Sequence, residues 1–216
     1  MNIKGCIFDL DGVIVDTAKY HYIAWCKIAM DLGFEFTRLD NERLKGVSRM
    51  QSLNILLDIG GIETDEKTKE KLAKEKNDLY KTYVEKLTPE DILPGAKEFL
   101  IQVRENNIGI ALGSASKNAT TILEKLDIIN LFDVIIDGNL VQKAKPDPEI
   151  FLRGASGLNI LPENSIVFED AEAGIEAALS AGMKCVGIGD PQQLFKAHLV
   201  VSGLDKLSVG LLYNIN

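Results

Sequence analysis

A mainly apolar segment over residues 3–8, interrupted by Lys4, stops at Asp9-Leu10-Asp11-Gly12, and the hydrophobic period then changes. A short run without polar alternation after Lys4 predicts a strand buried on both faces. From 17 to 32, Tyr20, Ile23, Ala24, Cys26, Lys27 and Met30 keep a spacing of roughly 3.6 residues, which predicts a helix. No strand-like run follows until beyond Pro94, so residues 16–89 read as an all-helical insert, with a long charged helix near 65–87 and a break at Gly60-Gly61. From Leu93-Pro94-Gly95 onward the two periods alternate. A helix to 105, strand 108–113, helix 118–126, strand 132–136, helix 148–158, strand 165–169, helix 173–181 and strand 184–188 are predicted.

Alternation of this kind implies right-handed crossovers and a parallel sheet with helices on both faces. The expected fold class is therefore α/β, a doubly wound, Rossmann-like core carrying an inserted helical cap. Residues 1–15 and 90–216 are assigned to the core and 16–89 to the cap. Sheets of this class bind ligands beyond the carboxyl ends of their strands, where Asp9, Ser114 and Asp170 all fall.

At 216 residues and 46% hydrophobic content the chain has ample material for a buried core. Cys6, Cys26 and Cys185 are odd in number and widely spaced, which predicts reduced, buried thiols. No basic region followed by an apolar stretch and a cleavage site opens the sequence, and no apolar run nears the ~18 residues of a membrane span. A cytoplasmic monomer without membrane contact is expected. The net charge of −8 disfavours nucleic acid as a partner but leaves small phosphates open, since local cations and a metal can reverse the field in one cleft.

The candidate chemistry starts at the first strand's end. Residues two apart on an extended segment point the same way, so Asp9 and Asp11 can converge on one ligand, and Gly12 lets the backbone turn away. Two crowded carboxylates need a cation or a shared proton. The competing reading, turn formers after a buried strand, fits Asp-x-Asp-Gly taken alone. The longer string through Val13-Ile14-Val15-Asp16-Thr17 resembles the signature of the haloacid dehalogenase-like phosphotransferases. Three further pieces of that pattern follow in order: Ser114 after a strand, Lys145 before Pro146, and Glu169-Asp170 after another strand.

The resemblance implies Asp9 as the nucleophile forming an aspartyl phosphate and Asp11 as general acid and base. Ser114 would donate to a phosphoryl oxygen, and Lys145 would neutralise the charge that Asp9 and phosphate accumulate. Mg2+, which favours oxygen ligands, suits the Asp9 carboxylate, the Asp11 backbone carbonyl and Asp170, with Glu169 a further ligand directly or through water. Taken singly, Glu169-Asp170 also fits a helix cap, and Lys145-Pro146 a surface loop.

Two more segments bear on the reaction. Ser116-Lys117-Asn118 stands at a predicted helix start, where exposed N–H groups favour an anion, and Lys117 sits on the end the dipole disfavours unless a phosphate lies between. In the cap, Lys45-Gly46 and Arg49 through Ser52 include an Arg suited to bidentate phosphate binding. A second phosphate site is of little use to a hydrolase and necessary to a mutase that holds a bisphosphate by one end.

With Thr17 and His21, these segments resemble the family's sugar-phosphate mutases. That resemblance implies interconversion of β-D-glucose 1-phosphate and glucose 6-phosphate through β-D-glucose 1,6-bisphosphate, which serves as intermediate and activator, with Mg2+. Arg49, Ser116, Lys117 and Asn118 would bind the distal phosphate. Thr17, His21, Lys45, Gly46, Ser52 and Lys76 would hold the sugar or position the cap. Lys76 stands in a crowd of lysines that a solvated face also explains, and a helix His is commonly a packed or surface residue. A sugar-phosphate phosphatase on the same scaffold is the alternative; an idle phosphosugar-binding module is opposed by the intact catalytic set.

Overall fold

The structure is a computed structural model that describes residues 3–215; residues 1, 2 and 216, which the expected core span includes, lie outside it. In chain order the strands are β1 (Gly5–Phe8), β2 (Gly109–Gly113), β3 (Val134–Ile136), β4 (Ser165–Glu169), β5 (Lys184–Ile188) and β6 (Leu199–Val201). The helices are α1 (Ala18–Asp31), α2 (Arg38–Glu42), α3 (Arg49–Gly60), α4 (Glu66–Val84), α5 (Ala96–Glu105), α6 (Ala119–Lys125), α7 (Glu149–Gly157), α8 (Glu172–Ser180) and α9 (Val209–Leu212).

All strand pairs are parallel, in the order β3-β2-β1-β4-β5-β6. The order reverses at β1, which places a crevice beyond the carboxyl ends of β1 and its neighbours. The pleat divides the core. Ile7, in register with Ala111 and Val167, packs with α7 and α8 on one face. Phe8, in register with Leu112 and Phe168, packs with α5 and α6 on the other. There the Phe8 and Phe168 rings stack at 4.5 Å, and Phe99 of α5 meets Phe8 edge-on at 6.2 Å. With both faces covered, the strands have no polar side, which is why β1 reads as a continuous apolar run.

Helices α1 to α4 form a separate layer around Trp25, Ile28, Phe36, Leu53 and Leu57. The two segments that join this layer to the sheet run side by side: Val15 and Ile92 form an antiparallel bridge, and Leu93 N donates to Ile14 O at 2.9 Å. Gly61, left-handed at φ 62°, ends α3 where the Gly60-Gly61 break was expected.

The sequence reading and the structure differ in three places. The apolar stripe of α1 is out of phase with the one expected: Ala24, Trp25, Ile28 and Ala29 are buried, whereas Ile23 is 42% and Met30 65% exposed. β6 and α9 were not foreseen, since runs of three and four residues are too short to show a period. Cys26 is half-buried and its Sγ reaches Phe36 O at 3.6 Å, while Cys6 and Cys185 are fully buried; all three are free thiols. Among the described residues no helix is long and apolar enough to cross a membrane.

Candidate active site

A cavity of about 480 Å³ opens between the helical layer and the carboxyl ends of the strands. Asp9 follows β1, and its N–H donates to Phe168 O at 2.9 Å, extending the sheet pairing by one residue and fixing where the carboxylate leaves the strand. Beyond it the chain folds back on itself: Gly12 N donates to Val15 O, and both Ile14 N and Val15 N donate to Leu10 O. That turn needs Gly12 at φ 80°. A Cβ there would also lie 2.1 Å from Asp170 Oδ2, so the absent side chain leaves the space that Asp170 fills.

Lys145 is fully buried, joined to Pro146 by a cis peptide bond, and donates to Asp9 Oδ1 at 2.5 Å and Glu169 Oε2 at 2.8 Å. Burial lowers its affinity for the proton, but the two carboxylates more than reverse that and hold it charged. Glu169 Oε1 accepts from the N–H groups of Asp170 and Ala171, so both its oxygens are engaged. Asp170 caps nothing; the first residue before α8 is Ala171, without a side-chain cap.

Asp9, Glu169 and Asp170 each bring a carboxylate oxygen within 4.8 Å of the others. Among the described residues Lys145 is the ammonium in ion-pair contact with this cluster, while Lys45 acts on Asp170 and Lys76 on Asp11 from farther off. Burial and the Glu169 and Asp9 charges push Asp170 well above the usual carboxylate range, and burial takes Glu169 to about 7. An all-oxygen, over-negative cluster of this kind fits Mg2+ in charge and donor type. Asp11 stands outside the carboxylate cluster. Burial, and then the Asp9 charge, push its carboxyl up to about 8, and its buried Oδ1 has no hydrogen-bond partner among the described residues.

Next to β2, Ser114 is buried and Ser114 N donates to Ile136 O. Two serine turns then shape the loop: Ser114 Oγ accepts from Ser116 N at 3.1 Å, and Ser116 Oγ accepts from Asn118 N at 3.2 Å. The cavity takes in Ser116, Lys117 and Asn118 from this loop. From the helical layer it takes in Lys45, Gly46, Arg49 and Ser52. Ser48 caps α3 by accepting from Gln51 N, which puts Arg49 and Ser52 in the first turn on one face. Burial lowers the Arg49 guanidinium, and no carboxylate lies within ion-pair distance of it among the described residues. Lys45 is held by Glu42 at 2.7 Å, and Gly46, at φ 72°, sits where a Cβ would press to 3.0 Å on Ala171 Cβ.

His21 and Lys76 also line the cavity, and Lys76 Nζ contacts His21 Nδ1 at 2.5 Å. Lys76 lies over the rings of Trp25 and Tyr80, 4.9 and 4.8 Å from their centroids. Burial, then Arg49, bring Lys76 down to about 7, and burial with Lys76 and Arg49 holds His21 well below its ordinary value. His21 is thus neutral, with Nε2 4.0 Å from Asp11 Oδ2. Of the candidate residues, Thr17 and Glu169 do not line the cavity. Thr17 is buried beneath it and accepts a hydrogen bond from Tyr80 OH at 2.9 Å.

A family model described as haloacid dehalogenase-like hydrolase matches residues 6–188. The chain belongs to the haloacid dehalogenase-like family. Among relatives, the chain is 48% identical to the beta-phosphoglucomutase of Bacillus subtilis over 98% of its own length and 94% of that protein's. It is 35% identical to a phosphorylated carbohydrates phosphatase of Thermotoga maritima, over 92% and 93% of the two chains. The crystal structure of beta-phosphoglucomutase from Clostridium difficile superposes with a TM-score of 0.95 at 47% identity, covering 98% of this chain and 96% of that one.

The haloacid dehalogenase-like site also holds residues that the sequence reading passed over. Tyr80 stacks on His21 at 4.0 Å, and Trp25 and Asn77 stand in the cavity wall. The signal for them was present. Leu72, Ala73, Tyr80 and Val84 mark the buried face of α4, and Lys76 and Asn77 are one turn from Leu72 and Ala73 on that face.

Proposed function

We infer that this protein is an isomerase that interconverts β-D-glucose 1-phosphate and glucose 6-phosphate, the reaction of a beta-phosphoglucomutase. The carrying observation is that one cavity joins the Asp9–Lys145 pair to a second cationic wall made by Arg49 and Lys117. Two anionic groups on one sugar match those two ends. Identity of 48% to a beta-phosphoglucomutase over nearly the whole chain supports the same reading over a phosphatase.

Mg2+, held by Asp9, the Asp11 backbone carbonyl and Asp170, would offset charge on the phosphoryl oxygens. Glu169, with both oxygens engaged, contributes chiefly by fixing Lys145. In one half-reaction an Asp9 oxygen attacks phosphorus while the sugar oxygen leaves, and Asp11 gives that oxygen its proton. In the other, Asp11 takes the proton of the other sugar hydroxyl as that hydroxyl attacks the aspartyl phosphate and the Asp9 carboxylate leaves. Asp11, raised to about 8, carries the proton at neutral pH, as a general acid must. Ser114 donates to the transferring group, and Lys145 balances its charge. Between half-reactions β-D-glucose 1,6-bisphosphate turns around, held at its idle phosphate by Arg49, Ser116, Lys117 and Asn118. Lys45, Gly46 and Ser52 face the sugar, while Thr17, His21 and Lys76 set the position of the cap.

The helical layer, residues 16–89, serves as a cap hinged where residues 15 and 92 pair. Its closure excludes water, the competing acceptor for the aspartyl phosphate. The three free cysteines fit a cytoplasmic setting, and a monomer acting on small sugar phosphates completes the reading. Following NADPH formation by glucose 6-phosphate dehydrogenase, with β-D-glucose 1-phosphate, Mg2+ and a trace of bisphosphate supplied, tests it. Steady formation of glucose 6-phosphate is expected; its absence overturns the reading.

A further inference from the structure

Asn77 has no part in the reaction described above, yet it occupies a costly position. It lies on the buried face of α4, 8% exposed, where a small apolar residue would pack without an amide to satisfy. Its Oδ1 accepts from Asn118 Nδ2 at 3.0 Å, and Asn118 is itself 9% exposed. The bond joins residues 41 apart in sequence, one on a cap helix and one in the loop before α6. Both amides line the cavity.

Asn118 is held from two sides. Its backbone N–H donates to Ser116 Oγ, within the core loop. Among the described residues its side-chain amide finds its protein partner only on the cap. A planar amide with one N–H engaged presents its other N–H and its oxygen in a fixed direction, whereas a free amide rotates. The orientation of Asn118 toward a ligand is therefore set when α4 docks.

We propose that Asn77 is a positioning residue that couples docking of the cap to binding of the distal phosphate, by holding the Asn118 amide in its binding orientation. The proposal rests on the reading that Asn118 belongs to the distal phosphate site. Arg49 and Lys117 supply charge to that phosphate from cap and core; the Asn77–Asn118 bond links the two sides directly.

The test is a double-mutant cycle on binding. The protein has one tryptophan, Trp25, in the cavity wall, so its fluorescence reports titration with glucose 6-phosphate. Asn77→Ala and Asn118→Ala are each expected to weaken glucose 6-phosphate by about tenfold, and the double variant by about tenfold as well. The same variants are expected to release more inorganic phosphate per glucose 6-phosphate formed. A double variant weakened by about a hundredfold, the product of independent effects, overturns the coupling. So does wild-type affinity in Asn77→Ala. Should Asn77→Ala fail to fold, Asn77→Ser, polar but too short to reach Asn118, carries the same cycle. Because the readout is equilibrium binding, it decides on Asn77 even if turnover of the wild-type protein yields only inorganic phosphate, an outcome that would defeat the mutase reading by itself.

Discussion

Lys145 Nζ lies 2.5 Å from Asp9 Oδ1 with both groups buried, so the nucleophile and its counter-charge are a preformed pair. Removing the ammonium leaves the buried carboxylates of Asp9 and Glu169 uncompensated. Breaking a buried pair from one side costs about 3–5 kcal/mol. Lys145→Met is expected to lower the melting temperature and to abolish phosphoenzyme formation. The cation site becomes more negative in that variant, so Mg2+ should raise its melting temperature by more than it raises the wild type's. Equal Mg2+ shifts in the two proteins would show that Lys145 and the cation do not share the same carboxylates.

Gly12 meets two demands at once, a left-handed backbone and the space beside Asp170. Gly12→Ala places a Cβ against the Asp170 carboxylate and must displace it. Mg2+ affinity measured by calorimetry is expected to fall by about tenfold or more, equivalent to about 1.4 kcal/mol. Unchanged affinity would mean that Asp170 is not a ligand.

Lys76 is brought down to about 7 by burial and by Arg49, whereas in the unfolded chain it returns to the ordinary lysine value of 10.5. Between those values the unfolded chain binds a proton that the folded protein does not, so this group makes stability rise with pH. Below about 7 the burial penalty is present in full; it vanishes above the unfolded value. Lys76→Met removes it, and the ligand-free variant is expected to exceed the wild type by on the order of 2–4 kcal/mol at pH 6. That advantage should shrink as pH rises to 10. Urea unfolding at the two pH values checks this, and a pH-independent difference would contradict it.

Sequence legibility followed the strength of each local pattern. β1, β2 and β4 are apolar on both faces and lead into Asp9, into Ser114, and to Glu169, so strand and chemistry announce each other. The helical layer was legible as helical, yet the phase of α1 was not. Trp25 and Ile28 face inward because α3 and α4 cover that side, a tertiary fact that spacing cannot supply. Lys76 was obscured by the lysines around it, and only the stripe from Leu72 through Val84 separates it from Lys74 and Lys81, which are exposed. The contacts of Lys145 with Asp9, 136 residues away, and of Asn118 with Asn77 depend on how two layers meet, and no local pattern encodes them.

Among the described residues Arg49 has no ion-pair partner in the cavity, a half-buried charge suited to an anion. Arg49→Ala is expected to reduce kcat/KM for glucose 6-phosphate formation by about a hundredfold, near 3 kcal/mol for a charge-assisted contact. Hydrolysis of a small phosphate ester, which has no second phosphate to hold, should fall by less than about tenfold. Parallel losses in both activities would count against a separate distal site.

The central claim, that phosphate passes to sugar rather than to water, is tested most directly by phosphorus NMR. The spectrum would be followed with β-D-glucose 1-phosphate, Mg2+ and a trace of β-D-glucose 1,6-bisphosphate. Growth of the glucose 6-phosphate signal with almost no inorganic phosphate is the predicted result; inorganic phosphate as the main product would contradict the mutase and leave a phosphatase in its place.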